Sequence, residues 1–212
     1  TLRCNLRCSY CQVSRVNQDA KGFDWSDATL NQFFRFAEDS APDSVKIEFQ
    51  GGEPTLRIDL IKKVITWATS HFRECEFVIC TNLQNLTPDF LDIVSRDDVY
   101  ISTSIDGATE LHQNQRTETS DKTREFFENV ETILETYGSS KISALPTITD
   151  FEKIENTIER YIELGFGHVF LRPVNFHGFA RKSFPESRHQ VTKWAQTYRK
   201  ALDHIFRHNY SQ

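Results

Sequence analysis

The sequence predicts an α/β protein built around a parallel sheet, and two features lead to this expectation. Short apolar segments of strand length alternate with longer amphipathic segments along nearly all of the 212 residues, which is the pattern of βαβ units with right-handed crossovers. About six strands can be counted in this way. Closed barrels of this class have about eight units, so about six strands predict either an incomplete barrel or a doubly wound sheet. In either architecture, ligands bind at the carboxyl ends of the strands.

Each element has its own local pattern. The expected strands are Val45–Phe49, Phe77–Thr81, Tyr100–Ile105, Ile142–Thr147 and Val169–Leu171, preceded by a short strand at Leu2. The expected helices cover residues 26–38, 60–68, 87–94, 121–137, 154–162 and 189–208, where apolar side chains recur at helical spacing. The expected helix-start residues are Ser26, Thr87 with Pro88, and Asp150, and the expected stops are Gly138 and Gly165. A longer loop is expected between residues 107 and 121.

Composition and charge exclude several classes of partner. The sequence contains 25 basic and 30 acidic residues, its net charge is -5, and it has no run of charged residues of one sign. It therefore lacks the basic patch that a nucleic-acid or membrane-surface binder needs. The apolar runs are too short to span a membrane, and no signal peptide is recognisable. We therefore expect a cytoplasmic protein. Because Met is absent even from position 1, we expect residues 1–212 to be one domain cut from a longer protein.

Three of the five cysteines form a compact motif directly after the first strand. Cys4, Cys8 and Cys11 have the spacing Cys-x3-Cys-x2-Cys, which is typical of a ligand cluster in a reducing compartment rather than of a disulfide framework. A structural zinc site normally needs four ligands, whereas Cys75 and Cys80 flank a strand and do not form a second pair. Three thiolates on a four-iron, four-sulfur cube leave one iron open, which is the mark of a reactive site. The motif favours an iron–sulfur enzyme over a zinc-stabilised binding module.

A second motif follows the strand Val45–Phe49. Gly51 and Gly52 allow the backbone to approach a ligand closely, and Glu53 offers a carboxylate to an ammonium group. Taken alone, this segment is equally compatible with a simple turn.

Polar residues also follow the later strands. Ser104 and Asp106 stand at positions i and i+2, which share one face of a strand, although an Asx turn is the alternative interpretation. Arg116 is a permanent cation with a planar fork that suits a carboxylate, while a loop arginine is more often solvated. Thr81–Asn82 and Asn175 are expected at the rim of the sheet, where adenine or substrate would lie.

Together these motifs resemble those of the radical S-adenosylmethionine superfamily. The similarity rests on the cysteine spacing with the aromatic Tyr10 before the third cysteine, on the Gly-Gly-Glu and Ser-x-Asp-Gly motifs, and on the segment Leu111–Arg116. Within that superfamily the chain looks most like the SPASM-type peptide maturases. The segments Cys-Asn-Leu-Arg-Cys-Ser-Tyr-Cys-Gln-Val-Ser-Arg, Ile-Glu-Phe-Gln-Gly-Gly-Glu-Pro and Phe-Leu-Arg-Pro-Val are particularly similar to the maturases of His-Xaa-Ser repeat systems.

The resemblance implies a fold, two cofactors and a set of site residues. The implied fold is a partial (β/α)6 TIM-like barrel, and the implied cofactors are a [4Fe–4S] cluster and S-adenosylmethionine. The implied cluster ligands are Cys4, Cys8 and Cys11. The implied S-adenosylmethionine contacts are Gly51, Gly52 and Glu53 at the amino group, Ser104 at the ribose, Arg116 at the carboxylate, and Tyr10, Asp106 and Asn175 elsewhere.

The resemblance also implies a reaction and partners. Members cleave S-adenosylmethionine reductively to a 5'-deoxyadenosyl radical, which here would abstract hydrogen from a ribosomally made peptide. The implied partners are that peptide and an electron donor such as flavodoxin or ferredoxin. Relatives usually carry a C-terminal extension with further cluster-binding cysteines, and the chain resembles the core without it. A radical enzyme acting on a small metabolite or on a sulfatase-type residue is the alternative.

Overall fold

The computed structural model describes residues 1–40 and 43–211, and the chain divides into two compact units. The first unit comprises Thr1–Asn5 and Arg15–Ser102, and the second comprises Leu6–Ser14 and Thr103–Gln212. The strands are β1 Arg3–Cys4, β2 Val16–Asn17, β3 Ser44–Phe49, β4 Glu74–Thr81, β5 Val99–Thr103, β6 Ile142–Ala144, β7 Thr147–Ile148 and β8 Arg172–Pro173. The α-helices are α1 Asp27–Ser40, α2 Ile58–His71, α3 Pro88–Val94, α4 Thr109–His112, α5 Ser120–Tyr137, α6 Ile154–Glu163, α7 Ala180–Ser183 and α8 Val191–Tyr210. The predicted α/β class with parallel strands is confirmed.

The first unit is a parallel sheet covered by helices. β3 pairs with β4 in register from Ser44–Glu74 to Phe49–Ile79, and β4 lies between β3 and β5. The side chains that point from these strands into the core are apolar, and they pack with the apolar faces of α1, α2 and α3. Core residues of this unit include Leu30, Ile47, Ile61, Val64, Phe77, Ile79, Phe90, Val94 and Ile101.

Local capping confirms two of the predicted helix starts. The Ser26 hydroxyl accepts a hydrogen bond from the backbone N–H of Thr29 (3.1 Å) before α1. The Thr87 hydroxyl accepts from the N–H of Phe90 (3.2 Å), with Pro88 as the first residue of α3. Each cap satisfies an amide that the helix itself leaves unpaired, which is worth about 1 kcal/mol.

The second unit is stabilised largely by helix packing. β7 pairs in parallel with β8, and Ala144 forms a single parallel bridge to Val169. α6 and α8 bury a shared apolar cluster consisting of Ile148, Phe151, Ile154, Ile158 and Ala201. α5 ends at Gly138, whose φ of +80° suits glycine at a helix end.

The strand predicted over Tyr100–Ile105 is too long, since β5 ends at Thr103. The backbone beyond Thr103 bonds to side chains: the Ile105 carbonyl accepts from the Tyr161 hydroxyl (2.8 Å), and the Asp106 N–H donates to Nδ1 of His112 (3.4 Å). Ser104 and Asp106 therefore lie in a loop and not on one face of a strand.

The predictions for residues 142–171 also need correction. The single strand expected over Ile142–Thr147 is divided into β6 and β7 around Pro146, which lacks the N–H needed for a continuous ladder. The strand expected over Val169–Leu171 is reduced to the Ala144–Val169 bridge, with β8 following it.

Two further local predictions differ from the structure. Asp150 does not cap α6, because its carboxylate accepts from the N–H of Glu152 (3.1 Å) and α6 begins only at Ile154. The interval expected to be a loop contains α4 and a π-helical turn, Gln113–Thr117. Within residues 1–40 and 43–211, no helix combines the length and apolar character of a membrane span.

Candidate functional site

The Gly-Gly-Glu loop of the first unit packs directly against β1. The N–H of Gly52 donates to the Thr1 carbonyl (2.9 Å), and the N–H of Glu53 donates to the Arg3 carbonyl (2.8 Å). An ideal Cβ at Gly51 would lie 2.1 Å from the Thr1 oxygen, and one at Gly52 would lie 2.2 Å from the Arg3 oxygen. Both glycines are therefore required by backbone packing, and the loop is placed beside the residue that precedes Cys4.

The Glu53 carboxylate is buried at the end of β4. It is 1% exposed, and it accepts hydrogen bonds from the N–H and hydroxyl of Thr55, the hydroxyl of Thr81 and the N–H of Asn82, at 2.7 to 3.1 Å. Burial raises its pKa, while these hydrogen bonds act in the opposite direction. A carboxylate has about four acceptor sites. The chain itself therefore already supplies the partners that a ligand's ammonium group would otherwise provide.

Asn82 lies beside the first cysteine of the motif. Its side-chain amide donates to Oδ1 of Asn5 (2.7 Å) and reaches Sγ of Cys4 (3.9 Å), while its own Oδ1 accepts from the N–H of Gln84 (3.1 Å). The sequence placed Asn82 at the rim of the sheet but did not indicate this amide–sulfur contact. Donors close to ligand sulfurs are among the groups that tune an iron–sulfur potential.

In the second unit, Tyr10, Asp106 and Arg116 form a buried network. The Tyr10 hydroxyl lies 2.8 and 2.7 Å from the two Asp106 carboxylate oxygens and donates to them, and Nη1 of Arg116 donates to the same hydroxyl (2.5 Å). All three residues are at most 6% exposed. The opposite charges of Asp106 and Arg116 compensate each other through the phenol, as buried charges require.

His112 packs against this network, in surroundings that favour its neutral form. It is fully buried, its ring stacks on Phe126 at 4.2 Å, and Nδ1 accepts from the N–H of Asp106. Burial lowers its pKa well below 6.5, and the nearby Arg116 charge lowers it further. Sequence patterns assign no ligand role to the histidines, and they do not indicate this packing role either.

The segment Leu6–Ser14 of the second unit carries Cys8 and Cys11 and is called the cysteine loop; backbone hydrogen bonds to its neighbours hold it in place. The N–H of Ser9 donates to the Gln115 carbonyl (2.9 Å), and the N–H of Phe179 donates to the Cys11 carbonyl (2.8 Å). Gly178 has a φ of +53°, and a Cβ there would lie 2.7 Å from the Cys11 oxygen. The loop is thus fixed by backbone contacts that do not depend on a bound group.

Two further predicted site residues, Asn175 and Ser104, lie in the second unit. Asn175 donates from Nδ2 to Oε1 of Gln12 (3.2 Å), so it lies against the cysteine loop. Ser104 is half-buried immediately after β5. The first unit contains six of the predicted site residues, and the others belong to the second; the six are Cys4, Gly51, Gly52, Glu53, Thr81 and Asn82.

The donor chemistry of the cysteine loop fits an iron–sulfur cluster. Among the described residues no disulfide forms, and no group of three or more His, Cys, Asp or Glu has the spacing to hold a single metal ion. The thiolates of a cube bind different irons, so single-ion spacing is not required of them.

Three cysteines with this spacing, beginning at the end of the first strand of a parallel α/β fold, are typical of enzymes that carry an open iron–sulfur cluster. Residues 1–160 match the Radical SAM superfamily, and the chain belongs to this superfamily. Its members are enzymes that use a [4Fe–4S] cluster together with S-adenosylmethionine. Membership favours the enzyme over the zinc-stabilised binding module.

Known proteins are similar to this chain over different parts of its sequence or fold. The cysteine-type anaerobic sulfatase-maturating enzyme of Clostridium novyi (strain NT) is 28% identical over 126 residues, which are 56% of this chain and 34% of that protein. Streptococcus suis SuiB bound to precursor peptide SuiA superposes with a TM-score of 0.70 at 18% identity, over 99% of this chain and 45% of SuiB. Native anSMEcpe with bound AdoMet and Cp18Cys peptide gives 0.67 at 18% identity, over 82% of this chain and 48% of that one.

These comparisons confirm the predicted fold class, because the two solved structures share the fold at low sequence identity. The chain spans less than half the length of each of these relatives. They leave the individual site residues as predictions.

We expect Gly52→Ala to destabilise the first unit, because its Cβ would meet the backbone oxygen of Arg3 and the Glu53 loop would have to move away from β1. Overpacking of this kind costs about 1 to 3 kcal/mol. Urea unfolding measures the loss. The matched control is Gly167→Ala, whose Cβ would meet no atom nearer than the Ser139 hydroxyl at 3.4 Å. Equal stability of the two variants would contradict the required close approach.

Asp106 should make stability depend on pH. Burial raises its pKa from 3.8 to about 6, so the folded chain retains a proton that the unfolded chain releases. The stability contributed by protonated Asp106 is complete below pH 3.8 and is lost as the pH rises through about 6. The unfolding free energy of the wild type should therefore fall relative to Asp106→Asn by on the order of 1 to 3 kcal/mol over this window.

Urea unfolding at several pH values between about 4 and 7 tests this expectation. Asp121→Asn is the control, since the Asp121 side chain is 83% exposed, and it should keep the wild-type slope. A difference between wild type and Asp106→Asn that stays constant across the window would show that the proton on Asp106 does not contribute to folding.

Proposed function

We propose that the chain is the core of a radical S-adenosylmethionine maturase that acts on a ribosomally made peptide. The observation that carries this proposal is the loop with Cys4, Cys8 and Cys11 in a chain that belongs to the superfamily. When bound, the cluster and S-adenosylmethionine supply one-electron cleavage to methionine and a 5'-deoxyadenosyl radical that takes a hydrogen atom from the substrate.

In this proposal, the thiolates of Cys4, Cys8 and Cys11 bind the cluster. The backbone contacts at Ser9 and Phe179 hold the loop in place before any cluster binds. The amide of Asn82 beside Cys4 acts on the electronic environment of that sulfur. Cys75 and Cys80 have no role in binding.

Arg116 is the proposed partner of the methionine carboxylate. Its Nη1 is used by Tyr10, but its buried Nε has no hydrogen-bond partner among the described residues. A buried donor without a partner costs about 1 to 3 kcal/mol, and an incoming carboxylate would remove that cost. Tyr10 and Asp106 then orient the guanidinium while compensating its charge.

The Gly51–Glu53 loop is the proposed contact of the methionine amino group. Because the Glu53 side chain is already bonded to its own chain, its main role would be to fix the end of β4 and the loop that carries the two glycines. The close approach of Gly51 and Gly52 to β1 would then position this loop for the cofactor. Ser104 at the ribose and Asn175 beside Gln12 complete the proposed set.

Peptide is the proposed substrate class. The solved structures of SuiB and anSMEcpe are complexes with peptides, and the motif segments of this chain resemble those of the maturases of His-Xaa-Ser systems. The second candidate is oxidation of a sulfatase-type residue, and it is supported by the similarity to the cysteine-type anaerobic sulfatase-maturating enzyme of Clostridium novyi. We further propose a cytoplasmic location, since the cluster and five cysteines suit a reducing compartment.

We expect Cys4→Ala, Cys8→Ala and Cys11→Ala each to abolish formation of 5'-deoxyadenosine, because the cluster loses a thiolate. The assay is anaerobic reconstitution with iron and sulfide, followed by iron analysis and detection of 5'-deoxyadenosine after reduction with dithionite. Cys75→Ala and Cys80→Ala are the matched controls and should keep the wild-type iron content. Full cleavage activity in Cys8→Ala, or a colourless wild-type protein that retains one zinc, would contradict the proposal.

Hydrogen abstraction can be followed directly with deuterated substrate. A His-Xaa-Ser repeat peptide carrying deuterium on its side chains and Cα atoms should transfer deuterium into 5'-deoxyadenosine, which mass spectrometry detects. A deuterated sulfatase-type cysteine peptide tests the second candidate in parallel. If 5'-deoxyadenosine forms but acquires no deuterium from either peptide, the proposed substrate class is wrong.

A further inference from the structure

The C-terminal part of the second unit carries a charge opposite to that of the rest of the chain. Between Glu163 and Asp203 the sequence contains seven Lys or Arg residues and a single carboxylate, Glu186. The rest of the chain contains 29 acidic and 18 basic residues. A local excess of one sign on a chain of the other sign creates a potential that attracts a complementary partner.

Two arginines of this segment converge on one aromatic ring. The guanidinium carbons of Arg181 and Arg188 lie 5.6 and 6.0 Å from the centre of the Phe176 ring. Both arginines and the neighbouring Lys182 are exposed, and none of the three forms an ion pair in the part of the chain that the structure describes. Like charges held close together without a carboxylate are unfavourable until an anionic partner arrives. We call these residues, with Phe176, the Phe176 patch.

The Phe176 patch adjoins the cysteine loop of its own unit. The next residues in sequence, Gly178 and Phe179, contact the backbone of Cys11 and Gln12: the N–H of Phe179 donates to the Cys11 carbonyl, and the Cβ position of Gly178 is 2.6 Å from the Gln12 backbone. The Phe179 side chain itself is 39% exposed and provides an apolar element beside the cations. A protein that docks on this patch is thereby brought next to the third cysteine.

We propose that the Phe176 patch is the docking surface for a small acidic electron-donor protein that carries a low-potential iron–sulfur centre or flavin. This inference rests on the proposed function, in which each S-adenosylmethionine cleaved consumes one electron. The donor loses that electron, and its oxidised form must leave before the next donor binds. Electron-transfer complexes are accordingly small and weak, and their association depends on electrostatic steering.

The position of the patch favours a donor over other anionic partners. An electron donor must come close to the cluster that it reduces, and Gly178 and Phe179, which adjoin the patch, contact the backbone of the segment that carries Cys11. A nucleic acid would need a continuous basic stripe, whereas Glu186 lies in the sequence between Lys182 and Arg188.

The experiment compares Arg181→Gln/Arg188→Gln with Arg199→Gln/Lys200→Gln, which removes the same charge from the exposed face of α8. The probe is an acidic two-cluster bacterial ferredoxin. Binding is measured by surface plasmon resonance at low and high salt, and reduction of the reconstituted protein by reduced ferredoxin is measured by stopped-flow absorbance. Dithionite, which needs no docking surface, serves as the reference reductant.

At low salt, Arg181→Gln/Arg188→Gln should bind ferredoxin and accept its electrons about tenfold more slowly than the wild type does. This difference should disappear at high salt. Its reduction by dithionite and the resulting 5'-deoxyadenosine formation should match those of the wild type, which also shows that it is folded. The second variant should behave like the wild type in every assay.

Three outcomes would overturn the proposal. Equal losses in the two variants would mean that overall charge matters and the patch does not. Unchanged ferredoxin binding in the first variant would exclude the patch as the docking surface. Tight, salt-dependent binding of polyuridylate that the first variant loses would assign the patch to RNA. If the wild type forms no cluster or yields no 5'-deoxyadenosine with dithionite, the proposed function itself has failed, and this inference fails with it.

Discussion

The hydrogen-bonded network of Tyr10, Asp106 and Arg116 is the constraint on which the second unit's site depends. It joins the cysteine loop, the loop after β5 and the π-helical turn through one phenolic hydroxyl. Burial is costly for an anion or a cation alone, and the opposite charges of Asp106 and Arg116 offset part of that cost. Among the described residues, the same network leaves the buried Nε of Arg116 without a hydrogen-bond partner, and in the proposed function this donor receives the methionine carboxylate.

The first unit also contains a buried charged group whose surroundings must offset the cost of burial. Its Glu53 carboxylate is also buried, but it is satisfied by hydroxyl and amide donors and not by a cation. The two glycines before it exclude any side chain between the loop and β1. The result places a rigid backbone segment and the Asn82 amide near Cys4, so the chemistry proposed here rests on backbone positioning at least as much as on reactive side chains.

The charge distribution separates two kinds of surface on one chain. The chain as a whole is acidic, whereas the segment between Glu163 and Asp203 is rich in basic residues, and Phe179 within it contacts the backbone of Cys11. Average composition conceals this contrast, because the net charge of -5 is the sum of two regions of opposite sign.

The sequence by itself determined the α/β class, most helix positions and the residues of each motif, because apolar periodicity, caps such as Thr87 and the cysteine spacing are local properties. Tertiary structure alone decided what those residues contact. The early end of β5 depends on Tyr161 and His112, which are distant in sequence from the strand and take its backbone partners. The internal satisfaction of Glu53 and the pairing of Tyr10 with Asp106, 96 positions apart, likewise require the folded chain, since hydrogen bonds between remote segments leave no periodic trace in the sequence.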